Sequence, residues 1–205
     1  MGIGTRTAAA GAALLLLTGC SGQSQEPSQQ TSPTEAVVSV SPDLLLGAEQ
    51  MTEWNGSMVW SQGGPASGPA VALCPWPSPE DLAAVAFADR TFVTSEGALA
   101  GRNVVMAFES PAEAASANET LQAALTDCGG SIISQPGTAM TWTRNELAGE
   151  GSDDATFEFV GVDAVGEHVS VVEFSLVGQD ANWETDPILD SLEASRARLG
   201  EAQSS

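Results

Sequence analysis

Three cysteines, one histidine and a large surplus of carboxylates are the side chains with which this chain of 205 residues could do chemistry. Cys74 stands in "VALCPWPSPED", among three prolines and Trp76. Its thiol could be a redox nucleophile, a metal ligand, a buried apolar group or half of a disulfide. Cys128 closes "SPAEAASANETLQAALTDC", in which Ala114, Ala117, Leu121, Leu125 and Cys128 recur at helical steps, so the thiol shares the apolar face of a predicted helix. A core-facing thiol suits a bridge and is badly placed to attack a solute. Two cysteines and a distant His168 fall short of the four ligands of a structural zinc, and there is no CxxC motif.

Cys20 has a different setting. The chain opens "MGIGTRTAAAGAALLLLTGC", with Arg6 ahead of an apolar run that is shorter than the roughly 20 residues a spanning helix needs. That layout is a secretory signal, and LTGC resembles the lipobox of bacterial lipoproteins, whose cysteine is lipidated and becomes the first mature residue. Assigning Cys20 to the lipid leaves Cys74 and Cys128 as an even pair in a disulfide-permissive compartment. A Cys74–Cys128 bridge is the expectation, with two free buried thiols as the alternative. "SGQSQEPSQQTSPTEA" has too little apolar surface to fold and reads as a tether. The expected organisation is signal peptide 1–19, lipidated Cys20 and tether 20–40, one domain 41–200, and a disordered tail 201–205.

The formal charge is −21, and there is no tyrosine. Nucleic acid and anionic headgroups would be repelled, so the lipid anchor must hold the protein on its membrane. Such acidity fits a high-GC or salt-adapted proteome better than a dedicated cation site. Enzyme signatures are scarce. His168 opens a predicted strand, and the G-x-S-x-G, phosphate-loop and H-E-x-x-H patterns are missing. No catalytic residue, cofactor or metal is assigned, although a carboxylate pair that sequence cannot single out remains open. "DANWETDPILDS" places Asp180, Asn182, Glu184 and Asp186 at alternate positions, but Thr185 and Ser191 stand where a calcium loop needs glycine and glutamate. "ELAGEGSDD" reads as a solvated loop. Five tryptophans point elsewhere. Trp76, held between prolines, and Trp142, on a short strand, are the candidates to line a groove for an apolar or aromatic ligand.

The elements that position these residues follow from pattern. Helices are expected over 41–54, from Ser78 in "SPEDLAA", from the Ser110-Pro111-Ala112-Glu113 start to about Asp127, and from Asp186-Pro187 onward. Strands are expected at "GSMVWS", "AVALC", "VAFADRTFVTS", "RNVVMAFES", "SIIS" and "TAMTWTR". "ATFEFVGVD" and "HVSVVEFSLVG" make the best hairpin: Phe157 and Phe159 alternate with Thr156 and Glu158, and Val172, Phe174 and Leu176 with Glu173 and Ser175. The predicted class is α+β, a single domain with a twisted antiparallel sheet and the helices packed mainly on one face.

"NVVMAFESPAEAASANETLQAALTDC" joins a strand ending in Phe, a small-residue turn, an Ala-rich helix and a closing Cys. With the leading "DLLLGAEQM" helix, Cys74 and the final helix in order, residues 42–200 resemble the extracellular sensor-domain family of the PknH type, which also occurs as stand-alone actinobacterial lipoproteins. Leu125 stands where that family often has Trp, and its second cysteine pair is absent. The resemblance implies an antiparallel sheet with a cleft and an unidentified ligand. The expected function is a lipid-anchored extracytoplasmic protein with a non-catalytic, sensor-like binding domain, whose partner is a small apolar or aromatic ligand or an envelope protein. The alternatives are an extracytoplasmic hydrolase using two carboxylates and a structural envelope docking protein.

Overall fold

The computed structural model describes residues 39–54, 59–63, 73–94, 99–147, 155–178 and 186–204. Seven strands form one open sheet: β1 (Trp60–Gln62), β2 (Ala86–Thr94), β3 (Leu99–Ala107), β4 (Ser131–Ser134), β5 (Met140–Leu147), β6 (Ala155–Val165) and β7 (His168–Gly178). Their order is β1-β2-β3-β7-β6-β5-β4, and every pairing is antiparallel. The predicted α+β class is what forms. The β6–β7 hairpin turns through Gly166-Glu167, with Val165 opposite His168 and Gly166 in the left-handed region at φ 56°, a conformation that favours glycine. The strand expected at "AVALC" does not reach Leu73 and Cys74, which form a bend; residues 70–72 lie outside the described residues.

Three helices complete the domain: α1 (Ala48–Trp54), α2 (Pro111–Asp127) and α3 (Asp186–Ala202). The Ser110 hydroxyl caps α2 by accepting from the N–H of Glu113, and Pro111 occupies the first turn, where a missing N–H costs nothing. Its buried face, Ala114, Ala117, Leu121 and Leu125, packs on Val104 and Met106 of β3, Val160 and Val162 of β6, and Val169 and Val171 of β7. The opposite sheet face carries α1 and α3. There Leu199 packs with Val105 and Ala107, and Ile188 with Phe159, Val172 and Phe174. The two long helices therefore lie on opposite faces rather than together as expected. The cause is the composition of β3, β6 and β7, which are apolar on both faces and need covering twice.

The helix expected over 41–54 divides into a 3-10 turn, Pro42–Leu44, and α1. Between them, tertiary partners replace the helical ladder. The Leu46 N–H goes to Asn103 Oδ1 at 2.9 Å, Arg90 donates to the Leu46 carbonyl at 2.6 Å, and Arg198 donates to the Leu45 carbonyl at 2.7 Å. On the same face Asp163, fully buried, accepts from Arg196 Nε at 2.5 Å and from the Thr138 hydroxyl at 3.0 Å.

Candidate functional site

Residues 73–85 run over the α2 face as a strap. Cys74 is disulfide-bonded to Cys128 at the end of α2, with their Cα atoms 5.8 Å apart. Arg144 of β5 fastens the same corner, donating to the carbonyls of Cys128 at 2.8 Å and Leu73 at 3.3 Å. Further along, Trp76 is half-buried, and the Arg102 guanidinium lies 5.8 Å from its ring centroid, within cation–π range. Arg102 also pairs with Asp89 at 3.5 Å.

The helix expected from Ser78 is a single turn. Ser78 and Asp81 do cap one another, with the Asp81 N–H reaching the Ser78 hydroxyl at 3.2 Å and the Ser78 N–H reaching the Asp81 carboxylate at 3.3 Å. Ala83 then enters the left-handed region at φ 60°, and the Ala84 N–H returns to the Pro79 carbonyl. That closure ends a helix. The Val85 N–H next joins the Ala107 carbonyl and leads into β2.

Beneath the Cys74 end of the strap lies a carboxyl pair. Glu158 of β6 is fully buried and Glu173 of β7 is 8 % exposed. Burial, and next the charge of Glu173, push the Glu158 carboxyl up to about 8, against the backbone N–H groups of Cys74 and Leu73, which favour its ionised form. The Cys74 N–H donates to Glu158 Oε2 at 2.9 Å, while Oε1 makes no hydrogen bond among the described residues. Glu173 is the diagonal neighbour of Glu158 on the same face, since Glu158 stands opposite Ser175 and Val160 opposite Glu173. The Glu158 carboxyl thus keeps its proton at neutral pH. The two acids stand side by side on neighbouring strands, not across a cleft. The hydroxyl of Ser175, the cross-strand neighbour of Glu158, is also buried without a partner.

At the other end of the strap a groove of about 380 Å³ opens between residues 81–85 and the first turns of α2. Leu82, Val85, Phe108 and Ala117 give it an apolar lining. Asp81, Glu109, Glu113, Ser116 and Thr120 add acceptors, and no basic side chain lines it. Val85 and Phe87, both more than 40 % exposed, extend its apolar surface along the edge of the sheet.

Among the residues singled out in the sequence, the structure brings Cys74 and Trp76 of the strap together with Cys128 at the end of α2, and neither Trp76 nor Trp142 lines the groove. Trp142 is not partly exposed as expected. It is fully enclosed in the core beside Met140, because its strand position faces α2 and Gly130 lies directly over its ring. His168 is half-buried at the start of β7, and burial lowers its pKa from the ordinary value. Cys20, most of "ELAGEGSDD" and the first part of "DANWETDPILDS" lie outside the described residues. Among the described residues no cluster of three or more metal-ligating side chains occurs, and no helix is long and apolar enough to cross a membrane. Sequence reasoning missed Glu158 and Glu173 as a pair. Period-2 alternation makes each the polar partner of buried phenylalanines, and only the apolar residues Val160 and Val171 on that same face signal that it too is covered.

No family model matches the chain, and no curated protein matches it. Among solved structures, it is similar to the extracellular domain of PknH from Mycobacterium tuberculosis, with TM-score 0.48 and 14 % identity over 77 % of this chain and 93 % of that one. A protein from Bacteroides thetaiotaomicron is similar with TM-score 0.36 and 9 % identity over 66 % of this chain and 40 % of that one. At this level no residue role is carried across.

Proposed function

We propose that this chain is a lipid-anchored extracytoplasmic protein whose domain binds a ligand without transforming it, in the manner of a sensor module. The groove between the strap and α2 carries the reading. Its volume of about 380 Å³ falls in the usual range of small-molecule sites, and an apolar lining with a few polar groups is the usual composition. The ligand that fits is an apolar or aromatic body, and the carboxylates of Asp81, Glu109 and Glu113 favour one carrying a positive charge. The anchor rests on LTGC: Cys20→Ser should release the protein from the membrane fraction, and a variant that still sediments with membranes ends that part of the reading.

Phenethylamine and phenylacetate, matched in size and opposite in charge, test the groove by NMR. The amine should shift resonances of Leu82, Phe108 and Ala117, the acetate should not, and Glu109→Gln with Glu113→Gln should weaken the amine several-fold. Shifts scattered over the whole acidic surface, or none in the groove, overturn the reading. The buried pair of Glu158 and Glu173 supports a second reading, a hydrolase with a carboxyl dyad. Against it, Glu158 is sealed beneath Cys74 and cannot touch a substrate. Glycan hydrolysis by the wild-type chain that is lost in Glu173→Gln would favour this second reading.

A further inference from the structure

The groove leaves the carboxyl pair unused, and the pair poses a physical problem of its own. It holds a negative charge in a covered site, yet no ion pair to either acid occurs among the described residues. Burying an uncompensated charge is costly. Two cations face the pair, and both are turned elsewhere. From β3, Arg102 is the cross-strand partner of Glu173 on the same face, but its Nε lies 3.5 Å from Asp89 without a hydrogen bond and its guanidinium 5.8 Å from the ring centroid of Trp76. From β5, Arg144 is the cross-strand partner of Glu158, but it is held by the carbonyls of Leu73 and Cys128 and by Glu146. The strap contributes backbone N–H groups and the disulfide, and Asp127 at the end of α2 is exposed to water.

We propose that the proton on the buried Glu158 is a switch that decides the partner of Arg102, and through it the seating of Trp76 and the strap. With the proton in place Glu158 is neutral beside Glu173, and Arg102 stays under Trp76. When the proton leaves, two negative charges stand side by side. Glu158 cannot move, because the Cys74 N–H grips it more strongly once it is ionised. Glu173, at the rim, turns to its cross-strand neighbour Arg102, and Trp76 loses the cation beneath its ring. The proton goes to solvent, and no bond other than hydrogen bonds is broken. The Cys74 end of the strap stays fixed while its middle is released. This switch stands apart from the ligand reading, although the strap also forms a wall of the groove.

The test is fluorine NMR of the full-length chain labelled with 5-fluorotryptophan, with the Trp76 signal assigned by Trp76→Phe and followed from pH 6 to pH 10. The expected result is a Trp76 shift with a midpoint near 8 while Trp142 stays still. In Glu158→Gln and in Glu173→Gln the Trp76 signal should keep its low-pH position throughout. In Arg102→Gln it should no longer respond, while the Cys74 amide still titrates. A flat Trp76 signal in the wild-type chain overturns the switch, as does the same titration persisting in Glu158→Gln. Should one Gln variant fail to fold, the wild-type titration and the other variant decide the matter. Loss of phenethylamine binding at every pH would end the groove reading and leave this result standing.

Discussion

The backbone N–H of Cys74 donates a 2.9 Å hydrogen bond to the carboxyl of Glu158, 84 residues further along the chain. One contact thereby ties the disulfide, the strap and the centre of the sheet together. The acid is buried and keeps its proton to about 8, so its chemistry is written into the stability of the fold.

Stability should fall as pH rises from about 4.5 to about 8. In that window the folded chain holds a proton that the unfolded chain, with Glu158 at its ordinary value of 4.5, has already released. The unfolded state therefore binds fewer protons, and each pH unit costs up to about 1.4 kcal/mol before the curve levels above 8. Urea unfolding at pH 5, 6.5 and 8 measures the slope. Glu158→Gln should flatten it; an unchanged slope in that variant would show that the proton resides elsewhere.

Reducing the Cys74–Cys128 bridge should lower stability by roughly 4 kcal/mol, since it closes a loop with a sequence separation of 54. Denaturant midpoints with and without reductant measure the loss. A difference under about 1 kcal/mol would mean that Arg144 and Glu158 alone hold the strap in place.

Gly130→Ala should be poorly tolerated. A Cβ there would strike the Trp142 ring and the Thr143 carbonyl, both fixed in the core. Overpacking of this kind costs about 1–3 kcal/mol. Thermal melts report it, and a variant as stable as the parent would show that the ring has room to move.

Arg196→Ala should cost about 2–3 kcal/mol, because it leaves the buried Asp163 carboxylate without its cation. Adding Asp163→Asn should recover part of the loss, since the remaining group is then neutral and can still bond Thr138. A double-mutant cycle settles it: simple additivity would show that the two side chains act independently.

Much of this architecture was legible in the residues. Ser110-Pro111 and Gly129 bracket α2 because a cap, a proline and a left-handed glycine at φ 84° act locally. The β6–β7 hairpin was legible for the same reason, and the pairing of Cys74 with Cys128 because assigning Cys20 to a lipid leaves only those two cysteines. What was not legible is tertiary. The apolar stripe of α3 says that the helix must be covered, not which face of the sheet covers it. Ser78 caps a single turn rather than the helix its pattern suggests, and Ala83 ends that turn to let Val85 reach Ala107. Trp142 reads as a groove candidate because it lies on a short strand beside an acidic loop, whereas its register sets it against α2. The site was the least legible part: a glutamate in an alternating strand reads as solvated until the strap is seen lying over it.

The strand order also governs when the sheet can be completed. α2 leaves β3, the neighbour of the central strand β7, and delivers the chain to β4, four strand spacings away, a distance of about 19 Å. A helix of 17 residues is about 25 Å long, enough to cross that gap. The gap is filled only afterwards, as β5, β6 and β7 fold back toward the centre. During synthesis the edge of β3, with Val104, Val105 and Met106, therefore stays bare until residues 168–178 have emerged. A chain cut short before that point would keep an unpaired, apolar strand edge, the kind of surface on which proteins aggregate.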